Sequence, residues 1–305
     1  MEYISWRENE IPSMVLGTAQ LGSDYGIANT DGMPSPRSAY QIVKTSIQNG
    51  ITCFDTAQAY GESERVLGDA LSSFLPYHDI KVISKLSPDL DPLDKDKISQ
   101  SIEQSCQNLK TNIWGLMLHD DRWLEVWDNG LGNAINEAKD KGIVKYVGVS
   151  VYQCDMAQKA IRLPYIDFIQ VPCNAWDQRV IKSKVLDLAR KHDKLCFVRS
   201  IYLQGLLLLS QEDVRNKVSI ASDAARQWDM LVKKIGVSKK ELCFSFALSL
   251  GCPIVVGVET EEQLEDNIKM CKADKLSKGM IEYIRHEMYP WLSCHVWNPK
   301  FWNKT

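Results

Sequence analysis

The chain has no CxxC pair, no close cluster of cysteine and histidine at metal-ligand spacing, no glycine-rich GxGxxG turn, no marked excess of either charge and no low-complexity run. Each absence removes a class of protein. The nine cysteines (53, 106, 154, 173, 196, 243, 252, 271 and 294) are scattered, so neither a metal site nor a disulfide framework is expected. Those inside apolar runs, such as Cys53, Cys173 and Cys196, read as reduced, buried thiols that pack as small hydrophobes. Without GxGxxG, an open doubly wound sheet lacks its dinucleotide fingerprint. Thirty-six Lys and Arg against 39 Asp and Glu give a net charge of −3, which argues against a polyanion-binding surface and hence against nucleic acid as a partner. The opening MEYISWRENE places acidic residues where a secretory signal would carry a basic region and a long apolar run. A cytoplasmic protein with no membrane partner is the expectation.

What is present is an ordinary globular mixture, with 45% hydrophobic and 25% charged residues over 305 positions. That length suits one α/β barrel of about 250 residues with insertions. Short apolar runs near 14–19, 51–55, 81–85, 113–118, 144–149, 166–171, 195–200 and 253–257 read as strands. Amphipathic stretches between them read as helices, including 36–49, 63–74, 94–109, 132–141, 182–192, 221–235 and 261–271. Asn49-Gly50 and Lys141-Gly142 punctuate helix ends, and Ser63-Glu64 suits a start. Eight βα units favour a closed (β/α)8 TIM barrel in a single domain, with the barrel over about 13–272 and a C-terminal extension over 273–305. The extension holds a helix-like run, 277–288, and then PWLSCHVWNPKFW, whose three tryptophans are expected to pack back onto the barrel.

Four short segments place chemistry at the ends of successive strand-like runs: FDTAQAYG (54–61), ISKL (83–86), LMLHD (116–120) and GVS (148–150). A tyrosine, with a free pKa of about 10, is a weak acid at neutral pH unless a cation stabilises its phenolate. Lys85 can supply that cation, Asp55 can hold the lysine ionised, and His119 can orient a carbonyl oxygen beside Tyr60. Taken singly, Asp55 suits a turn cap, Lys85 a snorkelling strand end, Tyr60 a packing residue and His119 a satisfied polar group. Their common placement at one end of strands two, three and four requires those coincidences together.

These residues resemble the aldo-keto reductase superfamily, over most of the chain from LGTAQLG at Leu16 to Asn267. The resemblance implies a (β/α)8 barrel, a nicotinamide cofactor and a catalytic tetrad of Asp55, Tyr60, Lys85 and His119, with Tyr60 as general acid. By the same resemblance Gly17, Thr18 and Asp55 border the cofactor, and Ser150 and Gln170 hold the nicotinamide carboxamide. Val151 stands where the family commonly has Asn. The segment RSIYLQGLLL, 199–208, resembles the pyrophosphate loop through Ser200, Leu203 and Gly205, and Arg199 stands where many relatives stack an aromatic ring on the nicotinamide. A planar guanidinium can stack there instead. VGVETEEQLEDN, 256–267, resembles the adenosine-phosphate segment, with Gly257, Glu259, Thr260 and Gln263 near the ribose and Asp266 and Asn267 at the adenine.

Relatives selective for a 2′-phosphate carry basic residues in that segment. Here Gly257 and Gln263 stand at those positions, and Glu259 suits a ribose diol, which admits NADH. Family habit points to NADPH. The expected activity is NAD(P)H-dependent reduction of a small-molecule aldehyde or ketone by a monomer or small homo-oligomer. LGTAQLGSDYGIAN and DTAQAYGESE further resemble a subgroup often encoded with bacterial surface-polysaccharide enzymes, which points to a sugar or activated-sugar carbonyl. Trp176 and Trp291 would suit stacking on a sugar ring, and the aromatic tail could border the substrate pocket as the family's C-terminal loop does. Two other activities fit parts of the pattern: a lyase using Lys85 as a Schiff-base nucleophile, and a non-catalytic nicotinamide-binding regulatory subunit.

Overall fold

The computed structural model describes residues 1–30, 32–273, 275–288 and 294–302. A two-stranded antiparallel hairpin, β1 (Tyr3–Trp6) and β2 (Asn9–Pro12), precedes the barrel and pairs Tyr3 with Pro12 and Trp6 with Asn9. Eight parallel strands follow: β3 (Met14–Gly17), β4 (Cys53–Asp55), β5 (Lys81–Leu86), β6 (Ile113–Leu118), β7 (Val144–Ser150), β8 (Phe168–Pro172), β9 (Leu195–Arg199) and β10 (Ile254–Gly257). β10 pairs with both β9 and β3, which closes the barrel.

The short apolar runs form strands because each is buried on two sides: one set of side chains fills the barrel, the other meets the helices. Val15, Cys53, Ile83, Met117, Phe168 and Phe197 pack inside, while Leu16, Phe54, Val82, Leu116 and Val198 belong to the layer beneath the helices. Glycine is required where Phe168 crosses the interior: a Cβ on Gly148 would stand 2.4 Å from its ring, and one on Gly115 2.8 Å. The hairpin closes the end of the barrel away from the strand C-termini. Trp6 lies edge-on to Tyr146 at 4.9 Å, and Trp114 donates from Nε1 to Asn9 Oδ1 at 3.1 Å.

Helices begin where polar side chains satisfy their first amides. Ser35 accepts from the Ser38 amide ahead of Pro36–Gln48, Asp94 from Lys97 ahead of Lys95–Leu109, and Ser238 forms a reciprocal capping box with Glu241 ahead of Lys239–Leu248. The helices Cys154–Arg162, Gln211–Lys217 and Lys239–Leu248 add to the segments read from sequence. After the helix Lys278–Met288, the described tail packs back: Val296 and Trp302 are buried, and the Arg179 guanidinium stacks 3.4 Å from the Trp297 ring. Trp291 lies outside the described residues. Among the described residues, no helix is long and apolar enough to cross a membrane.

Candidate active site

Asp55 is the last residue of β4, and Tyr60 follows in the loop after it. Lys85 sits one residue before the end of β5, and His119 immediately follows β6. Strand ends at one barrel mouth therefore bring all four together, as expected where active sites form on this fold. Lys85 is almost fully buried. It donates to Asp55 Oδ2 at 2.7 Å and to the Thr56 carbonyl at 2.8 Å, and its nitrogen lies 5.0 Å from the Tyr60 ring centre. Asp55 Oδ1 accepts from Gln170 Nε2 at 2.8 Å, so both carboxylate oxygens are fixed. The rings of Tyr60 and His119 meet edge to face, 5.9 Å apart at 87°. Burial, with the charges of Lys85 and Arg199 behind it, pushes the His119 pKa down to about 3. The imidazole is thus neutral over ordinary pH, and its Nδ1 is buried with no protein partner.

A cleft of about 400 Å³ runs from this mouth toward the far side of β10. Of the residues expected at a cofactor, Gly17, Thr18, Asp55, Gln170, Arg199, Ser200, Gly205, Gly257, Glu259, Gln263 and Asn267 line it. Four others do not. Leu203 turns its side chain into the core and spends its amide on the Ser200 carbonyl, closing the loop on itself. Ser150 is buried at the end of β7, paired in register with Gln170. Thr260 caps the helix Glu261–Lys272 by accepting from the Gln263 amide, and Glu259 donates its own amide to Gln263 Oε1, so this helix start is already satisfied by protein groups. Asp266 faces outward between Lys240 and Lys269. Trp176, expected as a sugar platform, is fully buried edge-on to Trp228 and belongs to the core. Of the described tail, none of residues 295–299, 301 and 302 lines the cleft.

The wall also contains residues that sequence reasoning passed over. Gln20 comes from the short helix Ala19–Gly22 after β3, Tyr25, Gly26, Ala28 and Asn29 from the loop that follows it, Gln204 from the loop after β9, and Lys240 from the helix Lys239–Leu248. The signal was the motif LGTAQLGSDYGIAN itself, whose glycine at 26 adopts φ +106° and lets the loop turn across the cleft. Ile27 donates its amide to the Gln204 carbonyl at 3.1 Å, and Ala28 packs against Gly205, where a Cβ would come within 2.4 Å. Small residues at 26, 28 and 205 thus keep a long channel open. The channel, the unpartnered His119 nitrogen and the glycines at 17 and 257 fit an elongated planar ligand with a carbonyl compound at its inner end.

A closed parallel barrel with Asp, Tyr, Lys and His converging at the C-terminal strand ends defines an oxidoreductase of the barrel class. The family model for the aldo/keto reductase family matches residues 13–287, and the chain belongs to that family. Its members are NAD(P)-dependent oxidoreductases acting on carbonyl compounds. The chain is 25% identical over 264 residues to a methylglyoxal reductase, DkgB, of Escherichia coli O157:H7, covering 85% of this chain and 86% of that one. It is 24% identical over 314 residues to the D-arabinose 1-dehydrogenase of Saccharomyces cerevisiae, covering 92% and 91%. Among solved structures, the aldo-keto reductase AKR11C1 from Bacillus halodurans superposes with a TM-score of 0.77 at 18% identity, over 97% of this chain and 99% of that one.

Proposed function

We propose that the protein reduces an aldehyde or ketone to an alcohol, with Tyr60 as the general acid. One observation carries the reading: a buried Lys85, pinned by Asp55 and Thr56, stands 5.0 Å from the Tyr60 ring with a neutral His119 edge-on beside it. A reduced nicotinamide supplies the hydride when bound. Tyr60 releases its hydroxyl proton to the carbonyl oxygen as negative charge develops there, and the Lys85 ammonium stabilises the phenolate left behind. Asp55 balances that ammonium, so the pair stays in place through the proton transfer. His119, uncharged, offers a hydrogen bond that orients the substrate oxygen without competing as an acid.

Gly17, Thr18, Gln170, Arg199, Ser200, Gly205, Gly257, Glu259, Gln263 and Asn267 are the cofactor residues in this reading. NADPH is the preferred form by family habit, supported by Lys240 at the cleft wall. A sugar or activated-sugar carbonyl is the proposed substrate, supported by LGTAQLGSDYGIAN and by the name of the D-arabinose relative; the methylglyoxal relative supports a small carbonyl. The same reading takes 13–272 as the barrel and 273–305 as an extension of one cytoplasmic domain, acting as a monomer or small homo-oligomer. The Schiff-base alternative is disfavoured because Lys85 is engaged in an ion pair with Asp55 at 2.7 Å, a pairing made by the ammonium and not by the nucleophilic amine that a Schiff base requires. The test is Tyr60→Phe. Turnover of any accepted carbonyl should fall by about two to four orders of magnitude, with nucleotide affinity retained in a fluorescence titration. A variant that keeps most of the wild-type rate removes Tyr60 from the mechanism.

A further inference from the structure

We infer that Arg199 biases the bound nicotinamide toward its reduced form, so that the cleft holds NAD(P)H more tightly than NAD(P)+. The inference rests on the reading of the cleft as the nicotinamide site.

Charge at the barrel mouth is not balanced. Lys85 is matched by Asp55 at 2.7 Å, so the pair adds no net charge to the mouth. Arg199, at the end of β9, lines the cleft with Asp55, Tyr60 and Gln170, and among the described residues it has no carboxylate within ion-pair distance. Its guanidinium lies 4.3 Å from the Tyr152 ring and donates to Ser200 Oγ at 3.2 Å; the other ionisable groups it meets are the phenols of Tyr25 and Tyr60. These neutral partners leave the charge uncompensated. Its field is felt across the mouth, since Arg199 is one of the two cations that help hold His119 neutral.

A nicotinamide ring is neutral when reduced and cationic when oxidised. For Tyr60 to protonate the oxygen of the carbonyl that receives the hydride, the ring must lie beside Tyr60, where the wall is Asp55, Gln170 and Arg199. Two like unit charges a few ångströms apart in a partly dry site repel by more than thermal energy even at an effective dielectric of about 20. The oxidised form is therefore the disfavoured one. An aromatic residue at position 199 would carry no such charge and impose no such bias. After allowance for screening by water, a ratio of about tenfold in affinity is expected, equivalent to a rise of about 30 mV in the midpoint of the bound two-electron couple.

The experiment measures dissociation constants for NADPH, NADP+, NADH and NAD+ by calorimetry on the wild type, Arg199→Met and Arg199→Lys, after circular dichroism shows that each is folded. The wild type should bind each reduced nucleotide about tenfold more tightly than its oxidised partner. Arg199→Lys should keep that ratio and Arg199→Met should bring it close to one, whatever happens to the absolute affinities. A ratio unchanged in Arg199→Met, or a wild type that binds both forms equally, overturns the inference while leaving the cleft as the cofactor site. Equal weakening of both forms assigns Arg199 to a part of the nucleotide common to both, which also overturns it. Binding of no nucleotide at all overturns the underlying reading instead. Should Arg199→Met fail to fold, Arg199→Gln takes its place in the same comparison.

Discussion

At the scale of single residues, the decisive choice is the protonation state of His119. Its pKa of about 3 in the folded chain arises first from burial and then from the charges of Lys85 and Arg199. In the unfolded chain it titrates near 6.5. Between those values the unfolded state holds more protons, so this residue makes stability rise with pH and fall away as pH drops from about 6.5 toward 3. Melting temperatures measured from pH 4 to 7 should therefore show a shallower acid-side slope in His119→Asn than in the wild type. The reduction rate should likewise show no limb near pH 6.5 from this residue. An imidazole resonance of His119 titrating near 6.5 in the folded protein would falsify both expectations. That Asp55, Tyr60, Lys85 and His119 gather at one mouth was legible from sequence because each stands at or just past a strand end, and strand ends are set by apolar runs that can be counted. Leu203, Ser150, Thr260 and Asp266 were not legible in the same way. Whether a loop residue faces a cleft or spends itself on its own turn depends on hydrogen bonds, such as Leu203 to Ser200, that no spacing reveals.

At the scale of elements, the strands and most helices follow from periodicity and capping, and the observed bounds stay within a few residues of the expected ones. The hairpin β1–β2 escaped because its four-residue strands carry charged and polar side chains on the exposed side and look like an ordinary chain start. Lys239–Leu248 escaped because KKELCFSFAL is apolar on most of its surface, which erases the helical stripe, and it brings Lys240 to the cleft unannounced. The short helix Ala19–Gly22 shows how one element braces the loop that carries Tyr60. A Cβ on Gly22 would fall 1.9 Å from the Tyr60 carbonyl and 2.4 Å from the Ser63 amide, and one on Gly61 would meet the Gly22 carbonyl at 2.4 Å. The two backbones touch, so the Tyr60 loop is braced by an absent side chain. Gly22→Ala should push that loop outward and lower kcat/KM by about tenfold or more, since a displacement of about 1 Å at a reacting group can cost that and beyond. Stopped-flow reduction rates compared with nucleotide affinity decide the matter: a loss confined to affinity would place the damage in the cleft rather than at Tyr60.

At the scale of the whole molecule, the barrel separates chemistry from stability along its axis. The C-terminal strand ends carry Asp55, Lys85, His119 and Arg199, whereas the opposite end is sealed by the hairpin. There Trp6 donates to the Asp193 carbonyl at 3.1 Å, Asn9 to the Tyr146 hydroxyl at 2.9 Å, and the Arg7 guanidinium lies 4.5 Å above the Trp6 ring while bonding Asp167 at 2.8 Å. Trp6, Trp114 and Tyr146 form a mutual edge-to-face cluster continuous with Phe168 inside the barrel. Such a plug keeps water from the lower layers of the interior. Removing its centre should therefore cost stability without touching the chemistry. Trp6→Ala should destabilise the protein by about 3–5 kcal/mol, the usual range for a buried tryptophan, read as a lower midpoint in urea at unchanged slope. Carbonyl reduction below the unfolding range should continue at close to the wild-type kcat, because the hairpin and the tetrad lie at opposite ends of the strands. If kcat falls in proportion to the stability lost, the two ends of the barrel are coupled, and the axis does not divide folding from function.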